Sequence, residues 1–343
     1  MKLLVTGAGG FLGRRLVESL LVHGERDLRL LVRPGSRRPD VEELTLRYPL
    51  AQIEICEGTL GDAADVKRAL ADVGYVYHLA AAKGGAVSEI FLHTVVGTKK
   101  LLDACIQRPV SERPAVLLVS SISVYASATL PRGTVIDERT PVEPRPELRD
   151  AYAYGKARQE ALFHEYRERH GLGGVTARPG LIYGPGGTLV PTRVGLTLPG
   201  LFLHLGGDNQ LPLTYVDNCA DALVRIGRST QSKDQIYNVI DDDLPTCREY
   251  LRLYKREARR VRSVGVPWPL TLALSHLSEQ YNRSSRGQLP AILTPYRSRA
   301  LWAGNRFDNG KLKALGWRPR ISTDEGLRRT FAALDDETQD RAS

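Results

Sequence analysis

The stretch MKLLVTGAGGFLGRRLVESLLVHG at residues 1–24 decides the fold of this chain. It begins with an uninterrupted apolar run at 3–6, which is typical of a strand in a parallel sheet covered on both faces. Apolar residues then recur with helical spacing over 11–23, so a helix should follow the strand. The segment TGAGGFLG (6–13) joins the two, and its glycines predict a tight turn.

The three glycines of this turn each meet a different steric requirement. Gly7 permits the tight turn, Gly10 lets a pyrophosphate approach the backbone, and Gly13 lets the helix pack closely on the strand. Phosphates would then lie against exposed amides at the positive end of the helix. The pattern predicts a dinucleotide site that also includes Phe11 and Leu12. A glycine-rich turn without a ligand is the alternative.

Further short apolar runs alternate with stretches of helical spacing through the first half of the chain. The runs predict strands and the intervening stretches predict helices, with strands at 28–32, 53–55, 76–80 and 115–121 and helices at 62–71 and 88–107. Because these runs are continuously apolar, they indicate an α/β fold of the Rossmann type, with a doubly wound parallel sheet.

The second half divides differently. Residues 127–150 are proline-rich and charged and are expected to form a long surface loop, followed by a helix over 151–170 and a strand within 175–186. We expect a dinucleotide-binding domain over 1–186, completed by segments near 210–245. Residues 187–343 are expected to form mainly a smaller α/β substrate lobe.

Composition excludes several classes of protein. Of the 343 residues, 42% are hydrophobic and 25% are charged, which excludes disordered, collagen-like and coiled-coil chains. The four cysteines form no CxxC pair, which argues against a zinc site or disulfides and favours a cytoplasmic protein. No signal peptide, transmembrane segment or nucleic-acid motif is expected, and no metal. The net charge of +9 favours an anionic partner.

The end of the second strand predicts which dinucleotide binds. An acidic residue normally accepts hydrogen bonds from the adenosine ribose at this point. Here the chain has Arg33, Ser36, Arg37 and Arg38 instead. Arginine can grip a 2′-phosphate with two hydrogen bonds, so Arg33 and Arg37 favour NADP over NAD. The alternative is that these arginines are surface charges, and NAD then remains possible.

A candidate catalytic group begins the helix that follows the long loop. Tyr152 and Lys156 are one turn apart and share a helix face, and a nearby cation favours the phenolate form of tyrosine. Ser120, Ser121 and Ser123 follow the strand of 115–121, where the carboxyl ends of parallel strands open into the ligand crevice. Ser121 could therefore hydrogen-bond the substrate oxygen to which Tyr152 gives a proton.

With these residues identified, the chain resembles the extended short-chain dehydrogenase/reductase superfamily, in its NAD(P)-dependent epimerase/dehydratase group. The resemblance covers nearly the whole chain and rests on TGAGGFLG, VYHLAA, VGTKKLLDAC, VSSISVYA, YAYGK, RPGLIYGPG, TYVDNCADA and FDNGKLKALGWRPRISTDEGL. It implies that Tyr152 is the acid/base residue, Lys156 its cationic partner and ribose ligand, and Ser121 the third member.

The resemblance also implies further binding residues. The expected cofactor contacts beyond the glycine turn and the arginines are Thr59, Leu60, Leu79, Ala80, Ala81, Lys83, Ser120, Tyr152, Lys156, Pro179, Gly180, Leu181 and Ile182. The expected substrate contacts are Thr94, Ser123 and Tyr183. Three positions depart from the family pattern, since Thr59 replaces an aspartate, Thr94 an asparagine and Gly155 a serine.

The substrate is predicted less sharply. TYVDNCADA and VPWPLTLALSHL (266–277) resemble the 3β-hydroxysteroid dehydrogenase-like branch, which implies oxidation or reduction of a secondary alcohol or ketone on an apolar or carrier-linked substrate. Nucleotide-sugar epimerisation or dehydration is the alternative, although Leu and Pro stand where a diphosphate-binding arginine would be expected. A non-catalytic NAD(P)-binding sensor or scaffold is a second alternative.

Two surfaces suggest partners. The stretch RLYKREARRVR (252–262) is strongly basic and either forms a solvated helix or docks an acyl carrier, a CoA ester or an anionic membrane surface. The family resemblance implies a homodimer that pairs through the helices expected at 88–107 and 152–169.

Overall fold

The architecture was taken from a computed structural model that describes residues 1–36, 39–187, 190–284 and 293–340. The strands are β1 (Lys2–Thr6), β2 (Asp27–Val32), β3 (Gln52–Glu57), β4 (Val73–His78), β5 (Ala115–Val119), β6 (Val135–Ile136), β7 (Gly174–Pro179), β8 (Leu181–Tyr183), β9 (Gly195–Leu198), β10 (Leu201–His204), β11 (Leu213–Tyr215), β12 (Ile236–Val239), β13 (Ser263–Gly265) and β14 (Arg306–Phe307).

The helices connect and cover these strands. They are α1 (Phe11–Val22), α2 (Val41–Arg47), α3 (Ala63–Leu70), α4 (Val87–Phe91), α5 (Gly97–Ile106), α6 (Ala151–His170), α7 (Val216–Arg228), α8 (Cys247–Glu257), α9 (Trp268–Ser284), α10 (Pro295–Trp302), α11 (Gly310–Ala314) and α12 (Thr323–Asp340).

Seven parallel strands form the central sheet, in the order β12-β7-β5-β4-β1-β2-β3. One apolar layer packs α1 and α7 on one face, and a second layer packs α3, α5 and α6 on the other. The predicted doubly wound α/β fold is thereby confirmed. The chain reverses direction across the sheet between β1 and β4, and ligands of such sheets bind at the carboxyl ends of the strands beside that point.

The later part of the chain contributes to both the sheet and a smaller unit. Strand β12 adds to the sheet edge beside β7, and α7 packs on α1. Strands β9, β10 and β13 form a separate three-stranded sheet. Next to it, α8 packs on α12 through the edge-on rings of Tyr250 and Phe331, whose centroids are 5.9 Å apart.

The segment 127–150 is not simply the surface loop that the sequence predicts. Ile136 in β6 is fully buried and pairs with Phe307 of β14. Arg149 donates to Glu143 at 3.2 Å, and both side chains are buried. The prolines and charges of this segment misled the prediction because two of its charged residues, Glu143 and Arg149, satisfy each other inside the protein.

Two helices also differ from the prediction. The stretch 88–107 is not one regular helix, because a π-helical turn at Leu92–Val96 separates α4 from α5. Helix α2 was missed because only Leu44 of its seven residues is buried, which leaves almost no apolar periodicity. Its cap was readable, since the Asp40 side chain accepts from the Glu43 amide at 2.9 Å.

Some classes of feature are not found in the part of the chain described above. No helix there has the length and apolar character needed to cross a membrane. Nor do three or more His, Cys, Asp or Glu side chains come together there in a way that could hold a metal ion. All four cysteines are free and buried.

Candidate active site

The glycine turn after β1 has the shape that a phosphate cradle needs. Gly7 has a positive φ of 73°, and a Cβ there would lie 3.1 Å from the Ala80 amide nitrogen. The first turn of α1 carries no acidic residue, and no described side chain caps its amides. A Cβ on Gly13 would lie 2.8 Å from the Ala8 Cα, so the helix could not pack as closely. The turn therefore fits a dinucleotide pyrophosphate.

The loop after β4 is fixed to this turn by Thr6. The Leu79 amide donates to the Thr6 carbonyl at 3.3 Å, and the Ala80 amide donates to the Thr6 hydroxyl at 3.3 Å. The Ala82 amide donates to the Thr94 hydroxyl at 3.1 Å. Thr94 is only 1% exposed, so it supports this loop from below. The Thr94 hydroxyl therefore holds the loop in place, and its contact with substrate stays a prediction.

The expected adenosine end of the site lies at the ends of β2 and β3. Arg33 directly follows β2 and is exposed, and its carbonyl accepts from the Ser36 hydroxyl at 2.7 Å. Arg37 and Arg38 lie outside the described residues. The Thr59 amide donates to Asp65 at 2.8 Å, and the neighbouring Leu60 is buried.

Helix α6 brings Tyr152 to the end of β5. Asp150 caps the helix by accepting from the Ala153 amide at 3.0 Å. Tyr152 is half-buried, and α6 packs on the turn Ile122–Val124 that Ser121 begins. Burial raises the pKa of Tyr152, while the Ser121 hydrogen bond acts in the opposite direction. Ser121 and Tyr152 lie on segments that pack together, and their catalytic roles stay a prediction.

Lys156 is buried one turn after Tyr152, and its ammonium donates to groups other than the tyrosine. Its Nζ donates to the Val119 carbonyl at 2.8 Å and to the Gln159 Oε1 at 2.9 Å. Burial lowers the pKa of Lys156 to about 7, and the nearby Lys83 cation acts in the same direction. The pKa of Tyr152 is raised and not lowered as expected, because burial outweighs the hydrogen bond with Ser121.

Gln159 connects Lys156 to a chain of buried hydrogen bonds that the sequence analysis missed. The Gln159 Nε2 donates to the Thr98 hydroxyl at 2.8 Å, and Thr98 donates to the Thr94 carbonyl at 2.5 Å. Because the Thr98 proton is committed there, the His78 Nε2–H donates to Thr98 at 2.8 Å.

The same reasoning fixes the tautomer of His78. With Nε2 protonated, its Nδ1 accepts from the Thr6 hydroxyl at 2.7 Å. Burial lowers the pKa of His78 to about 3, and Lys156 acts in the same direction, so the ring is neutral. The chain of hydrogen bonds thus runs from Lys156 to Thr6 beside the glycine turn. No local motif indicates it, because its members come from four separate elements.

A buried ion pair between α6 and β7 lies beneath these groups. The Arg178 Nε donates to Glu160 at 3.1 Å, and the guanidinium carbon lies 4.5 Å from the centroid of the Tyr125 ring. Burial would raise the pKa of Glu160, but hydrogen bonds from His164 and Arg178 outweigh it and bring the pKa to about 2.

Two other residues that were predicted to contact a ligand, Ser120 and Tyr183, are buried. Ser120 is 2% exposed and lies beside Glu160, whose pKa it helps to lower, while its contact with a cofactor stays a prediction. Tyr183 is buried, and its hydroxyl donates to the Thr323 carbonyl at 3.3 Å, while its contact with substrate stays a prediction. The sequence does not specify which side of a strand end is covered, so the burial of both residues could not be predicted.

Three other predicted contact regions either lack an internal hydrogen-bond partner or reach the surface. The Ser123 Oγ has no hydrogen-bond partner among the described residues, although it is buried. The Lys83 side chain is exposed. The segment from Pro179 to Ile182 leaves β7 with Gly180, Leu181 and Ile182 partly exposed. Its path is fixed by the Gly180 amide, which donates to the Val239 carbonyl at 3.0 Å.

The chain was compared with known families and proteins. The sequence model of the NAD dependent epimerase/dehydratase family matches residues 3–239. The 3beta-hydroxysteroid-dehydrogenase/decarboxylase isoform 1 of Arabidopsis thaliana is 28% identical over 96% of this chain and 78% of its own length. The 2-alkyl-3-oxoalkanoate reductase of Stenotrophomonas maltophilia is 32% identical over 64% of this chain and 63% of its own length.

Among solved structures, the fold is similar to that of a Thermus thermophilus UDP-glucose 4-epimerase in complex with NAD. The TM-score is 0.69 with 24% identity, and the match covers 98% of this chain and 99% of that one. At this level of identity, the match supports the fold alone.

Replacing the buried carboxylate should destabilise the protein in a pH-dependent way. We expect Glu160→Gln to cost about 3–5 kcal/mol near neutral pH, because it leaves the Arg178 charge buried and unpaired. The Glu160 pKa is lower in the folded state, so its contribution is present above about pH 4.3 and is lost as the pH falls toward the folded value. Urea unfolding at neutral pH and at about pH 3 measures both effects.

Glu165→Gln is the matched control for this variant. Glu165 lies on the same helix and pairs with Arg169 at the surface, where its loss should cost less than about 1 kcal/mol. If Glu160→Gln were as stable as Glu165→Gln, or if the difference did not narrow at low pH, the ion pair would not have the role described.

Proposed function

The chain belongs to the NAD dependent epimerase/dehydratase family, and from that premise we propose that it transfers a hydride between a nicotinamide cofactor and a secondary alcohol or ketone. The observation that carries the proposal is the packing of α6, which carries Tyr152 in its first turn, on the turn Ile122–Val124 that Ser121 begins at the carboxyl end of β5. The hydroxyls of Tyr152 and Ser121 are groups that can share the oxygen of a carbonyl substrate, at the sheet edge where ligands of this fold bind.

The proposed cofactor-binding residues follow from the same geometry. Gly7, Gly10 and Gly13 would let the pyrophosphate meet the amides of α1, and the Lys83 cation would contact a phosphate. The backbone from Pro179 to Ile182 would meet the nicotinamide, which when bound supplies or accepts the hydride.

Tyr152 would move the proton and Ser121 would orient the oxygen. A tyrosine whose pKa is raised by burial is protonated at neutral pH, which suits it to give a proton to the oxygen of a ketone. Ser121 would donate a hydrogen bond to the same oxygen. In the direction of alcohol oxidation the phenolate is needed, so that direction should gain more from alkaline pH.

Lys156 would act as a cation held in a fixed position. Its pKa of about 7 means that its charge depends on the groups around it at neutral pH. The carbonyl of Val119 and the side-chain oxygen of Gln159 both accept from the ammonium and so favour its charged form. Gln159 would thus be a positioning residue for Lys156.

For the cofactor we propose a preference for NADP. The exposed Arg33 follows β2 without an acidic neighbour in sequence, and Arg37 adds a second cation. A 2′-phosphate would find a bidentate partner there.

For the substrate we propose an apolar ketone or alcohol, either free or linked to a carrier. The names of the two curated relatives refer to a hydroxysteroid and to an alkyl-oxoalkanoate, both with an oxygen function at carbon 3. Nucleotide-sugar epimerisation is the second candidate and is favoured only by the similar fold of the epimerase structure.

We further propose a cytoplasmic homodimer that pairs through α4, α5 and α6. Val87 and Leu92 are 61% and 49% exposed at the start of this surface, which supports an apolar contact there. The molar mass in solution, measured by light scattering, tests this part of the proposal.

The Tyr152 hydroxyl should be essential for turnover. We expect Tyr152→Phe to lower kcat by about 10²–10⁴-fold, because the proton donor is lost, while the affinity for NADPH is unchanged. Tyr154→Phe is the control, since Tyr154 stacks on Phe91 with centroids 6.1 Å apart. A panel of ketones, sterols, acyl thioesters and UDP-sugars supplies the substrates.

Each result of this experiment separates the candidates. Full activity in Tyr152→Phe would contradict the mechanism. Turnover of a UDP-sugar alone would favour the epimerase, whereas cofactor binding without turnover of any compound would favour a sensor or scaffold.

The arginine after β2 should set the choice of cofactor. Arg33→Asp should reduce the preference for NADPH over NADH by about tenfold or more, because one hydrogen-bonded charge is worth about 1.5–3 kcal/mol. Fluorescence titration with both cofactors gives the ratio. An unchanged ratio would remove the assignment of Arg33.

Gln159 should tune the charge of Lys156. In Gln159→Leu the ammonium loses an acceptor, so its pKa should fall below about 7. If activity needs the charged form of Lys156, kcat/KM of this variant should begin to fall at a lower pH than in the unmodified protein. We expect the alkaline limb of the pH profile to move down by about one pH unit. Gln159→Glu should shift the same limb upward, because a carboxylate favours the ammonium. If the alkaline limb moved by the same amount in the same direction in both variants, Gln159 would have only a structural role.

A further inference from the structure

Helix α9 exposes its leucines and buries its hydroxyls, the reverse of an ordinary surface helix. Leu270, Leu274 and Leu277 are 51%, 41% and 61% exposed. Thr271 and Ser275 are instead buried, and the Ser275 hydroxyl bonds the hydroxyl of Ser298 on α10 at 2.6 Å. Exposing a row of leucine side chains to water is unfavourable, so this face suits an apolar partner.

The exposed apolar side chains form one continuous strip. At about 100° per residue, Leu270, Leu274, Leu277 and Tyr281 lie within about 60° of one another around the helix axis. From Leu270 to Tyr281 the strip is about 16 Å long at about 1.5 Å per residue. We call these four residues the leucine face of α9.

A group of exposed arginines leads into this helix. Arg259, Arg260 and Arg262 are exposed, and none of them forms an ion pair within the described part of the chain. Arg262 lies six residues before Trp268, so the two are at most about 22 Å apart along the chain. Val264, between them, is 52% exposed. Cationic and apolar surface therefore follow each other directly in the chain.

We propose that the leucine face of α9 and Arg259, Arg260 and Arg262 dock on an anionic phospholipid bilayer. A helix that lies in the interface buries its apolar face among the acyl chains, while neighbouring basic residues meet the anionic head groups. This mode of attachment needs no membrane-spanning helix.

Charge and shape favour a bilayer over the other occupants. Two copies of this chain that met through the leucine face would bring their unpaired arginines together, and like charges repel. An acyl carrier would satisfy the arginines, but its acyl chain would enter a cavity and would not need a protruding strip of leucines. A bilayer satisfies both surfaces at once.

The position of α9 gives this docking a use for an apolar substrate, and that use rests on the proposed function. Helix α10 packs on α9, and Arg297 of α10 donates to the Arg149 carbonyl at 3.1 Å. Arg149 lies three residues before Tyr152. Docking through α9 would thus hold the candidate active site close to the lipid surface. The docking itself does not depend on the reaction and can be measured without turnover.

Vesicle cosedimentation of the full chain tests the proposal. We expect binding to vesicles of equimolar phosphatidylcholine and phosphatidylglycerol, little binding to phosphatidylcholine alone, and weaker binding at high salt. The variants Leu270→Ser/Leu274→Ser/Leu277→Ser and Arg259→Glu/Arg260→Glu should each lower the bound fraction by about tenfold or more. Leu46→Ser/Leu50→Ser is the matched control, since these leucines are 84% and 80% exposed elsewhere.

The other outcomes would overturn the proposal. These are no binding to anionic vesicles, equal losses in the control, and a leucine-face variant that changes the oligomeric mass but not vesicle binding. If the serine variant fails to fold, as judged by its thermal transition, the arginine variant still decides because its side chains are exposed. Tyr152→Phe should bind vesicles as the unmodified protein does, so a failure of the proposed reaction and a failure of docking can be distinguished.

Discussion

The close approach of two backbone segments is the constraint on which the site depends. The turn after β1 and the loop after β4 can meet at Gly7 and Ala80 only because Gly7 has no side chain and adopts a positive φ. Thr6 then joins the two segments with its carbonyl and its hydroxyl. The same close packing leaves the first amides of α1 open to a phosphate, so the geometry that closes the sheet also forms the binding surface.

Helix α6 positions the candidate catalytic residues relative to the sheet. Its inner face is fixed at two levels, by the Glu160 pair with Arg178 and by the hydrogen bonds of Lys156 with Val119 and Gln159. Burying these charges costs free energy unless every one of them is paired. Glu160 and Arg178 pair with each other and Lys156 donates to two neutral oxygens, so directional contacts offset part of the cost and hold the first turn of α6 in place. The pKa of Lys156 near neutrality is the remaining consequence of that burial.

The chain of hydrogen bonds from Lys156 to Thr6 connects the candidate catalytic residues of α6 to the glycine turn. Neutral His78 lies within it with both ring nitrogens satisfied. Buried networks of this kind specify one arrangement when every member has a partner. A shift of α6 would therefore disturb the loop beside the glycine turn as well. In contrast, α9 lies outside this network, and its leucine face is exposed and not packed into the core.

The sequence by itself determined the features that depend on neighbours in the chain. The apolar run, the glycine spacing and the one-turn interval between Tyr152 and Lys156 are local patterns, so the sheet class, the phosphate turn and α6 could be predicted from them. Only the tertiary structure decided that Thr94, Ser120 and Tyr183 face inward, that Gln159 holds Lys156, and that α9 turns its leucines outward. These features depend on contacts between segments far apart in sequence, and the pKa of a side chain depends on its burial, which no local pattern encodes.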